Sequence, residues 1–337
     1  MATLLAAATA AAQPVGLYPA NPHYFRVAGK PAVLVTSGEH YGAVLNREFD
    51  YVRYLDTLRA DRMNLTRTFS GSYREEPGDF KIASNTLAPA PGKFIAPWAQ
   101  RDGKFDLTKW DAAYFARLKD FVAQAGRRGV VVELVLFCPF YRDSMWKASP
   151  MNTLNNINGI GNVARSDVLA LKDPRLTEVQ DAMVRKIVGE LRDFDNLYYE
   201  ICNEPYFGGV TAEWQEHIAQ VIVQTEAAFP KKHLIAQNWA NGSKVITKPN
   251  PLVSLFNFHY SRPPSSVAMN WGLDRAIGNN ETGFDGAADA TYRIQGWDFL
   301  MAGGALYNNL DYSFTVGHED GTFAPPPDTP GGGSAAL

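Results

Sequence analysis

The sequence predicts an α/β protein built as a (β/α)8 barrel, or TIM barrel, with its last helix absent because the chain is truncated at its C-terminus. From residue 30 onward, short β-branched or aromatic runs alternate with longer amphipathic stretches, which is typical of βα units around a parallel sheet. Eight such runs lie between residues 32 and 310, which suits a barrel of typically ~250 residues with loop insertions. No G-x-G-x-x-G or G-x-x-x-x-G-K motif follows the first run, so the glycine-rich turn of an open nucleotide-binding sheet is missing.

The first half of the chain carries four predicted strands and three predicted helices. The strands lie at residues 32–36, 64–69, 130–137 and 197–205, and the helices at about 47–59, 107–128 and 174–192. The helix at 107–128 has apolar residues three and four positions apart, at Tyr114, Phe115, Leu118, Phe121, Val122 and Ala125, which gives one buried face. The strand at 130–137 is almost entirely apolar, as expected for a strand covered on both faces.

The second half repeats the pattern with shorter units. Strands are predicted at residues 234–237, 253–259, 276–281 and 305–310, and helices at 212–229 and 290–301. Two long loops, 71–103 and 142–173, interrupt the regular alternation in the first half. Their shape decides whether the mouth of the barrel forms an open groove or a closed pocket.

Both ends of the chain are predicted to lie outside the barrel. Residues 1–13 contain an Ala/Leu run before Gln13 and Pro14, which resembles the apolar core and cleavage site of a secretory signal. The barrel is assigned to residues 14–322, and the Pro/Gly-rich residues 323–337 are assigned to a tail or linker. The protein is therefore expected to be secreted or periplasmic.

Composition narrows the class of partner. The chain has 337 residues, 32 basic against 35 acidic, and a net charge of −3, so nothing favours nucleic acid or an anionic membrane surface. The six histidines form no H-x-H or H-E-x-x-H pattern, and neither a metal nor another cofactor is predicted. The two cysteines, Cys138 and Cys202, are predicted to be buried free thiols. An uncharged carbohydrate fits best as the substrate.

The chemistry is expected at the C-terminal ends of the barrel strands. Polar and aromatic residues at these ends are Glu39, His40, Arg67, Asn203, Glu204, Asn238, Trp239, His259, Tyr260, Glu281, Asn308, Asn309 and Asp311. Glu204 and Glu281 follow strands four and seven, which face each other across a closed eight-stranded barrel. Glycoside hydrolysis needs two such carboxyl groups on either side of one sugar. Arg67 and Tyr260 are expected beside Glu281, where a cation and a phenol favour the ionised carboxylate.

Several motifs together resemble those of glycoside hydrolase clan A, most closely the cellulase-like family 5. They are the run YEICNEP at residues 199–205, the run NNETG at residues 279–283, and His259-Tyr260 between them. The resemblance covers about residues 30–322. Asn-Glu-Pro alone is a short match, but its position after a β-rich run with a second Glu downstream makes the combination more specific.

The resemblance implies a retaining mechanism on β-linked glycosides or polysaccharides. It makes Glu204 the acid/base and Glu281 the nucleophile. It also implies that Asn203 bonds the sugar 2-hydroxyl and that Arg67 and Tyr260 support Glu281.

Three further residues are predicted to bind substrate. The resemblance places His259 at the glycone site, His40 follows strand one, and Trp239 follows strand five, where a flat ring can stack on a sugar. Family members usually carry a Trp near the end of strand eight, whereas residues 307–311 read YNNLD, which separates this chain from typical cellulases. The alternative from another class is a carbohydrate-binding barrel that lacks catalysis.

Overall fold

The computed structural model describes residues 13–326 and confirms the predicted TIM barrel. Its strands are β1 (Gly16–Tyr18), β2 (Asn21–Val27), β3 (Lys30–Ala32), β4 (Leu34–Gly38), β5 (Leu65–Phe69), β6 (Trp98–Arg101), β7 (Lys104–Trp110), β8 (Val131–Phe137), β9 (Leu197–Cys202), β10 (Ile235–Asn241), β11 (Leu255–His259), β12 (Ala276–Glu281) and β13 (Leu306–Leu310). Its helices are α1 (Tyr51–Ala60), α2 (Ala112–Arg127), α3 (Asp143–Ala148), α4 (Pro174–Leu191), α5 (Ala212–Glu226), α6 (Ser265–Asn270) and α7 (Asp289–Met301).

Eight of these strands form the barrel sheet, in the order β4-β13-β12-β11-β10-β9-β8-β5, and every neighbouring pair is parallel. Asn64 bridges the remaining gap between β4 and β5. Its backbone N–H donates to the Val35 carbonyl across 3.1 Å, and its side-chain oxygen accepts from the Val35 N–H across 2.7 Å. The sheet is therefore nearly closed, and the C-terminal ends of all eight strands surround one mouth.

A small antiparallel sheet of β1, β2 and β3 covers the opposite end of the barrel. Val15 and Phe25 pack there against residues at the starts of the barrel strands, among them Leu34, Leu65 and Val131. The predicted first strand at residues 32–36 is thus wrong at its start, because residues 30–32 pair with β2 and the barrel strand begins two residues later. The N-terminal end of the barrel is therefore closed.

Side-chain caps start the main helices. Asp50, Asp111 and Asp173 each accept two backbone N–H bonds in the first turn of α1, α2 and α4, and Thr211 caps α5 in the same way with one. Such caps satisfy donors that the helix itself leaves free. The predicted helix at 107–128 starts too early, because residues 104–110 form β7 and pair with β6 in a hairpin.

Further sequence predictions concern the last helix, the two cysteines and the two ends of the chain. Within residues 13–326 no helix follows β13, and residues 242–254 connect β10 to β11 without a helix. Cys138 and Cys202 are buried free cysteines, as predicted. The predicted leader and tail lie outside the described residues, apart from residue 13 and residues 323–326. In the described part of the chain, no helix combines the length and apolarity needed to cross a bilayer.

Candidate active site

The mouth of the barrel brings Glu204 and Glu281 together, as the strand positions predict. Glu281 ends β12, and Glu204 follows β9 by two residues. The register between β11 and β12 shifts at His259, and such irregularities re-aim side chains at barrel rims. Tyr41, Glu204 and Tyr260 have positive φ angles of 61°, 34° and 52°. Backbone conformations that L-residues rarely adopt tend to cluster at functional sites.

Glu281 is held by three donors. The hydroxyls of Tyr260 and Tyr41 donate to its Oε1 and Oε2 across 2.5 and 3.0 Å, and Nη1 of Arg67 donates to Oε2 across 3.4 Å. Burial raises the pKa of this carboxyl, but the charges of His259 and Arg67 and the bond from Tyr260 hold it well below its usual range. Glu281 is therefore an ionised carboxylate at neutral pH, as a nucleophile must be.

Glu204 has a different set of neighbours. The Tyr141 hydroxyl donates to its Oε2 across 2.6 Å, and the Tyr206 hydroxyl lies 3.1 Å from its Oε1. No Arg or Lys side chain of the described residues forms an ion pair with it. The two carboxyls therefore differ: Glu281 contacts a fixed cation from Arg67, whereas Glu204 contacts phenols and one histidine.

His259 joins the two carboxyls. Its Nδ1 lies 3.3 Å from Oε1 of Glu204 and 3.4 Å from Oε1 of Glu281, and one oxygen of each carboxyl lies within 4.8 Å of the other. Burial lowers the pKa of His259, but the charges of Glu281 and Glu204 beside the ring raise it to about 9. These three groups also have the spacing of a cation site, and a metal ion there would have to displace the proton that His259 holds.

Asn203 and Arg67 connect the two sides of the site. Nη2 of Arg67 donates to Oδ1 of Asn203 across 2.6 Å and to Oε1 of the buried Glu200 across 2.5 Å. The Asn203 side-chain N–H donates to the Tyr141 hydroxyl across 2.9 Å. This chain of bonds runs from the donor on Glu281 to the donor on Glu204, so the two carboxyls sit in one connected network.

Two adjoining spaces open at this site. We call the smaller one the inner slot: it has a volume of about 70 Å³ and is lined by both carboxyls and by His40, Glu75 and Leu87. The larger one, the outer cavity, has a volume of about 590 Å³ and lies on the Glu204 side. Residues that line both spaces are Phe80, Tyr141, Glu204, Tyr260 and Phe284.

The structure brings most of the predicted site residues to these spaces. Glu204, Glu281, Asn203, Tyr260 and His40 line the inner slot, and Arg67 and His259 contact the carboxyls directly. Trp239 lines neither of the two spaces, and its ring packs edge-on against Phe256 with 6.2 Å between the ring centroids.

Sequence reasoning missed several residues of the site. Tyr41 and Tyr141 donate to the two carboxyls, yet neither was predicted. Tyr41 follows the end of β4 by three residues and Tyr141 follows β8 by four, so the positions of both after strand ends mark them as candidates. Glu75 lies inside the long 71–103 loop, where no pattern in the sequence marks it.

The end of strand eight carries no exposed sugar platform among the described residues. The Tyr307 hydroxyl donates to the Tyr292 carbonyl across 2.8 Å, which turns this ring away from the barrel mouth. Tyr312 lies closer to the site, with its ring centroid 5.7 Å from that of His40, and is 2% exposed.

Comparison with known proteins identifies the sequence family. Residues 92–298 match the family described as "Cellulase (glycosyl hydrolase family 5)", which is more than half of the chain. No curated protein matches the sequence significantly.

Solved structures share the fold at low sequence identity. A Bacteroides vulgatus protein crystallised at 1.80 Å resolution is 14% identical with a TM-score of 0.64; the match covers 88% of this chain but only 55% of that one. A glycoside hydrolase family 5 mannosidase from Rhizomucor miehei is 11% identical with a TM-score of 0.61, covering 96% and 93% of the two chains. An endo-β-1,4-mannanase from Thermotoga petrophila is 16% identical with a TM-score of 0.56, covering 83% and 68%.

Proposed function

This chain belongs to glycosyl hydrolase family 5, and we propose that it hydrolyses β-linked glycosides by a retaining double displacement. One observation carries the proposal: one carboxyl oxygen of Glu204 lies within 4.8 Å of one of Glu281. Retaining glycosidases place their carboxyls about 5–5.5 Å apart, whereas inverting ones leave about 6.5–9.5 Å for a water. An oxygen pair within 4.8 Å fits the shorter, retaining separation of the two carboxyl groups.

In the first step, Glu281 attacks the sugar. Its carboxylate oxygen forms a bond to the anomeric carbon while the bond from that carbon to the aglycone oxygen breaks. Glu204 gives its proton to the departing oxygen. The three donors on Glu281 and its depressed pKa support this division of roles, because they keep it ionised.

In the second step, water replaces Glu281. Glu204, now a carboxylate, removes a proton from the water as the water oxygen attacks the anomeric carbon. The bond to Glu281 breaks, and both carboxyls return to their starting states. The phenols of Tyr141 and Tyr206, which contact Glu204, can adjust as its charge changes between the two steps.

Neighbouring groups position the sugar. Asn203 Nδ2 donates to the Tyr141 hydroxyl across 2.9 Å and to Cys138 Sγ across 3.6 Å. A thiol is a weak acceptor, so the sugar 2-hydroxyl can replace it as the partner of the second N–H. Arg67 fixes Asn203 and Glu281 relative to each other through its two nitrogens. His259 lies between both carboxyls, with its Nδ1 3.3 Å from Glu204 and 3.4 Å from Glu281, and so helps to set their spacing.

The anomeric configuration of the first product tests this function. Proton NMR of an aryl β-glycoside reaction is expected to show the β-hemiacetal before the α form appears by mutarotation. The α form appearing first would establish inversion and contradict the proposed roles.

Azide separates the two carboxyls. In Glu281→Ala, azide replaces the nucleophile and attacks once, so an α-glycosyl azide is expected. In Glu204→Ala, azide attacks the covalent intermediate, so a β-glycosyl azide is expected. Glu76→Ala, at an exposed position, is the control and should make neither. A protein that binds sugars but turns over none of them would instead support the binding-barrel alternative.

A further inference from the structure

The two spaces of the site lie on different sides of the reacting bond. The inner slot is lined by both Glu204 and Glu281, whereas the outer cavity is lined by Glu204 and not by Glu281. In a double displacement the nucleophile bonds the sugar that stays, and the acid protonates the group that leaves. The inner slot is therefore the glycone side, and the outer cavity is the aglycone side.

The inner slot has room for one sugar. Its volume of about 70 Å³ is roughly an eighth of the outer cavity's, about 590 Å³. The slot is therefore too small for more than one sugar. The outer cavity, at about 590 Å³, is far larger and can take a longer aglycone.

The far end of the slot is closed to solvent. His40, Glu75 and Leu87 line it and are 8%, 3% and 1% exposed. The outer cavity, in contrast, is bordered by Phe207, which does not line the slot and is 44% exposed. A chain of sugars can therefore leave the site on the aglycone side but cannot continue past the glycone.

The closed end presents polar groups to the sugar. Nε2 of His40 lies 3.3 Å from Oε2 of Glu75, and Nδ1 of His40 has no hydrogen-bond partner in residues 13–326 although it is buried. Glu75 accepts from Tyr73, Asn85 and His40, which leaves one of its roughly four acceptor positions free. One sugar hydroxyl can donate to Glu75, and a second can donate to Nδ1 of His40, which is an acceptor when Nε2 carries the proton directed at Glu75.

The wall that carries Glu75 is fixed in place. The Thr86 hydroxyl donates to Oε2 of Glu39, and Asn46 donates to the Thr86 carbonyl across 3.2 Å. A Cβ on Gly42 would lie 2.2 Å from that carbonyl, so the loop packs against the turn after β4 with no room between them. The 71–97 segment thus acts as a wall of the slot.

From these relationships we propose that the chain is an exo-acting glycosidase, which removes single terminal sugars that Glu75 and His40 recognise at the closed end. This inference rests on the proposed hydrolase function and adds to it the length of the glycone. It follows that the 71–103 loop closes a pocket at the mouth of the barrel and does not leave an open groove.

The products of the unaltered protein test the proposal. A panel of 4-nitrophenyl β-glycosides of glucose, mannose, xylose and galactose selects the sugar, and a reducing-end-labelled hexasaccharide of that sugar is the substrate. An exo enzyme gives free monosaccharide and labelled pentasaccharide first. Labelled di-, tri- or tetrasaccharide among the first products overturns the proposal but leaves hydrolysis intact. If the protein cleaves neither a 4-nitrophenyl glycoside of the panel nor an oligosaccharide, the proposed hydrolase function itself is overturned.

A matched pair of variants tests the recognition. Glu75→Gln removes the charge at the closed end, and Glu76→Gln makes the same change one residue along, where the side chain is exposed. We expect Glu75→Gln to lower kcat/KM for the 4-nitrophenyl glycoside by at least about tenfold, and to weaken inhibition by the free monosaccharide by a similar factor. Glu76→Gln should change both by less than about twofold. If Glu75→Gln folds and keeps the kcat/KM and the monosaccharide inhibition of the unaltered protein, Glu75 does not recognise the terminal sugar. The product pattern of the unaltered protein tests the exo action independently of any variant.

Discussion

Arg67 on β5 lies across the barrel from Glu281 on β12, and its Nη1 donates to Oε2 of Glu281 across 3.4 Å. The same guanidinium bonds Glu200 and Asn203 through Nη2, and the residue is 2% exposed. A buried arginine with three carboxyls nearby, those of Glu133, Glu200 and Glu281, stays charged. Arg67 therefore supplies a permanent positive charge to the proposed nucleophile.

Removing this charge is expected to move the acid limb of the pH profile. In Arg67→Met the cation no longer favours the ionised form of Glu281, so the pKa of Glu281 rises. The acid limb of kcat/KM should shift to higher pH, and kcat/KM at its optimum should fall by about 10²-fold or more. Arg67→Lys keeps the charge and should show the smaller shift.

Breaking a buried ion pair costs about 3–5 kcal/mol, so Arg67→Met needs a stability control. The double variant Arg67→Met/Glu200→Gln removes the charge that the first change leaves unpaired. If this folded double variant keeps the acid limb of the unaltered protein, Arg67 does not set the ionisation of Glu281.

Glu133 and Glu200, two buried carboxyls beside Arg67, are expected to respond differently to substitution by Gln. Glu200 bonds Arg67 across 2.5 Å, whereas Glu133 lies 3.8 Å from it. Asn257 and Asn280 donate to both carboxyls. Burial and the neighbouring Glu200 charge raise the pKa of Glu133 well above its usual range, despite Arg67. Glu133 therefore holds its proton to a higher pH than a solvent-exposed glutamate does.

Glu133→Gln should accordingly be tolerated at neutral pH, and Glu200→Gln should cost about 3 kcal/mol or more in the free energy of unfolding. The folded pKa of Glu133 lies above its unfolded value, so the stability that this group contributes is present below about pH 4.3 and is lost as pH rises above it. Glu133→Gln lacks this loss. Urea unfolding of both variants at pH 5 and pH 8 checks this, and equal costs for the two changes would contradict it.

The barrel and the two carboxyls at its mouth could be predicted from the sequence. The barrel follows from the periodicity of the strands, and the carboxyls follow from their positions at strand ends. The strand at residues 276–281 has the predicted bounds, and Glu281 lies at its end. The hairpin at residues 98–110 was missed, although Phe105 and Leu107 alternate with polar residues as a strand requires. The pairing of Glu75 with His40 could not be predicted, because the two lie 35 residues apart and only the packed loop brings them together.

The charge of His259 should make the stability of the protein depend on pH. Its pKa is about 9 in the folded protein and about 6.5 in an unfolded chain. A raised pKa of a basic group stabilises the folded state fully below about pH 6.5, and this contribution is lost as pH rises through about 9. The loss is at most about 3 kcal/mol.

Urea unfolding between pH 6 and pH 9.5 measures this loss, with His259→Gln as the reference. The difference in the free energy of unfolding between the two proteins should narrow as pH rises. A difference that stays constant across this range would show that His259 is neutral in the folded protein.

Tyr141 is expected to matter most for substrates with poor leaving groups. Its hydroxyl donates to Oε2 of Glu204 across 2.6 Å and accepts from Asn203 across 2.9 Å, so it orients the proposed acid. A sugar or alkyl leaving group needs that proton, whereas a nitrophenolate leaves with little help. Tyr141→Phe should therefore lower kcat/KM by about 10- to 100-fold for a disaccharide and by less than about fivefold for a dinitrophenyl glycoside.

Tyr206→Phe is the matched comparison, because Tyr206 also contacts Glu204, at 3.1 Å, but is 37% exposed. Water can replace its hydroxyl, so its loss should affect both substrates by less than about fivefold. An equal effect of Tyr141→Phe on the good and the poor leaving group would mean that Tyr141 contributes to sugar binding and not to proton transfer. The ratio of the kcat/KM losses for the disaccharide and the dinitrophenyl glycoside therefore assigns the role of Tyr141 without reference to the absolute rates.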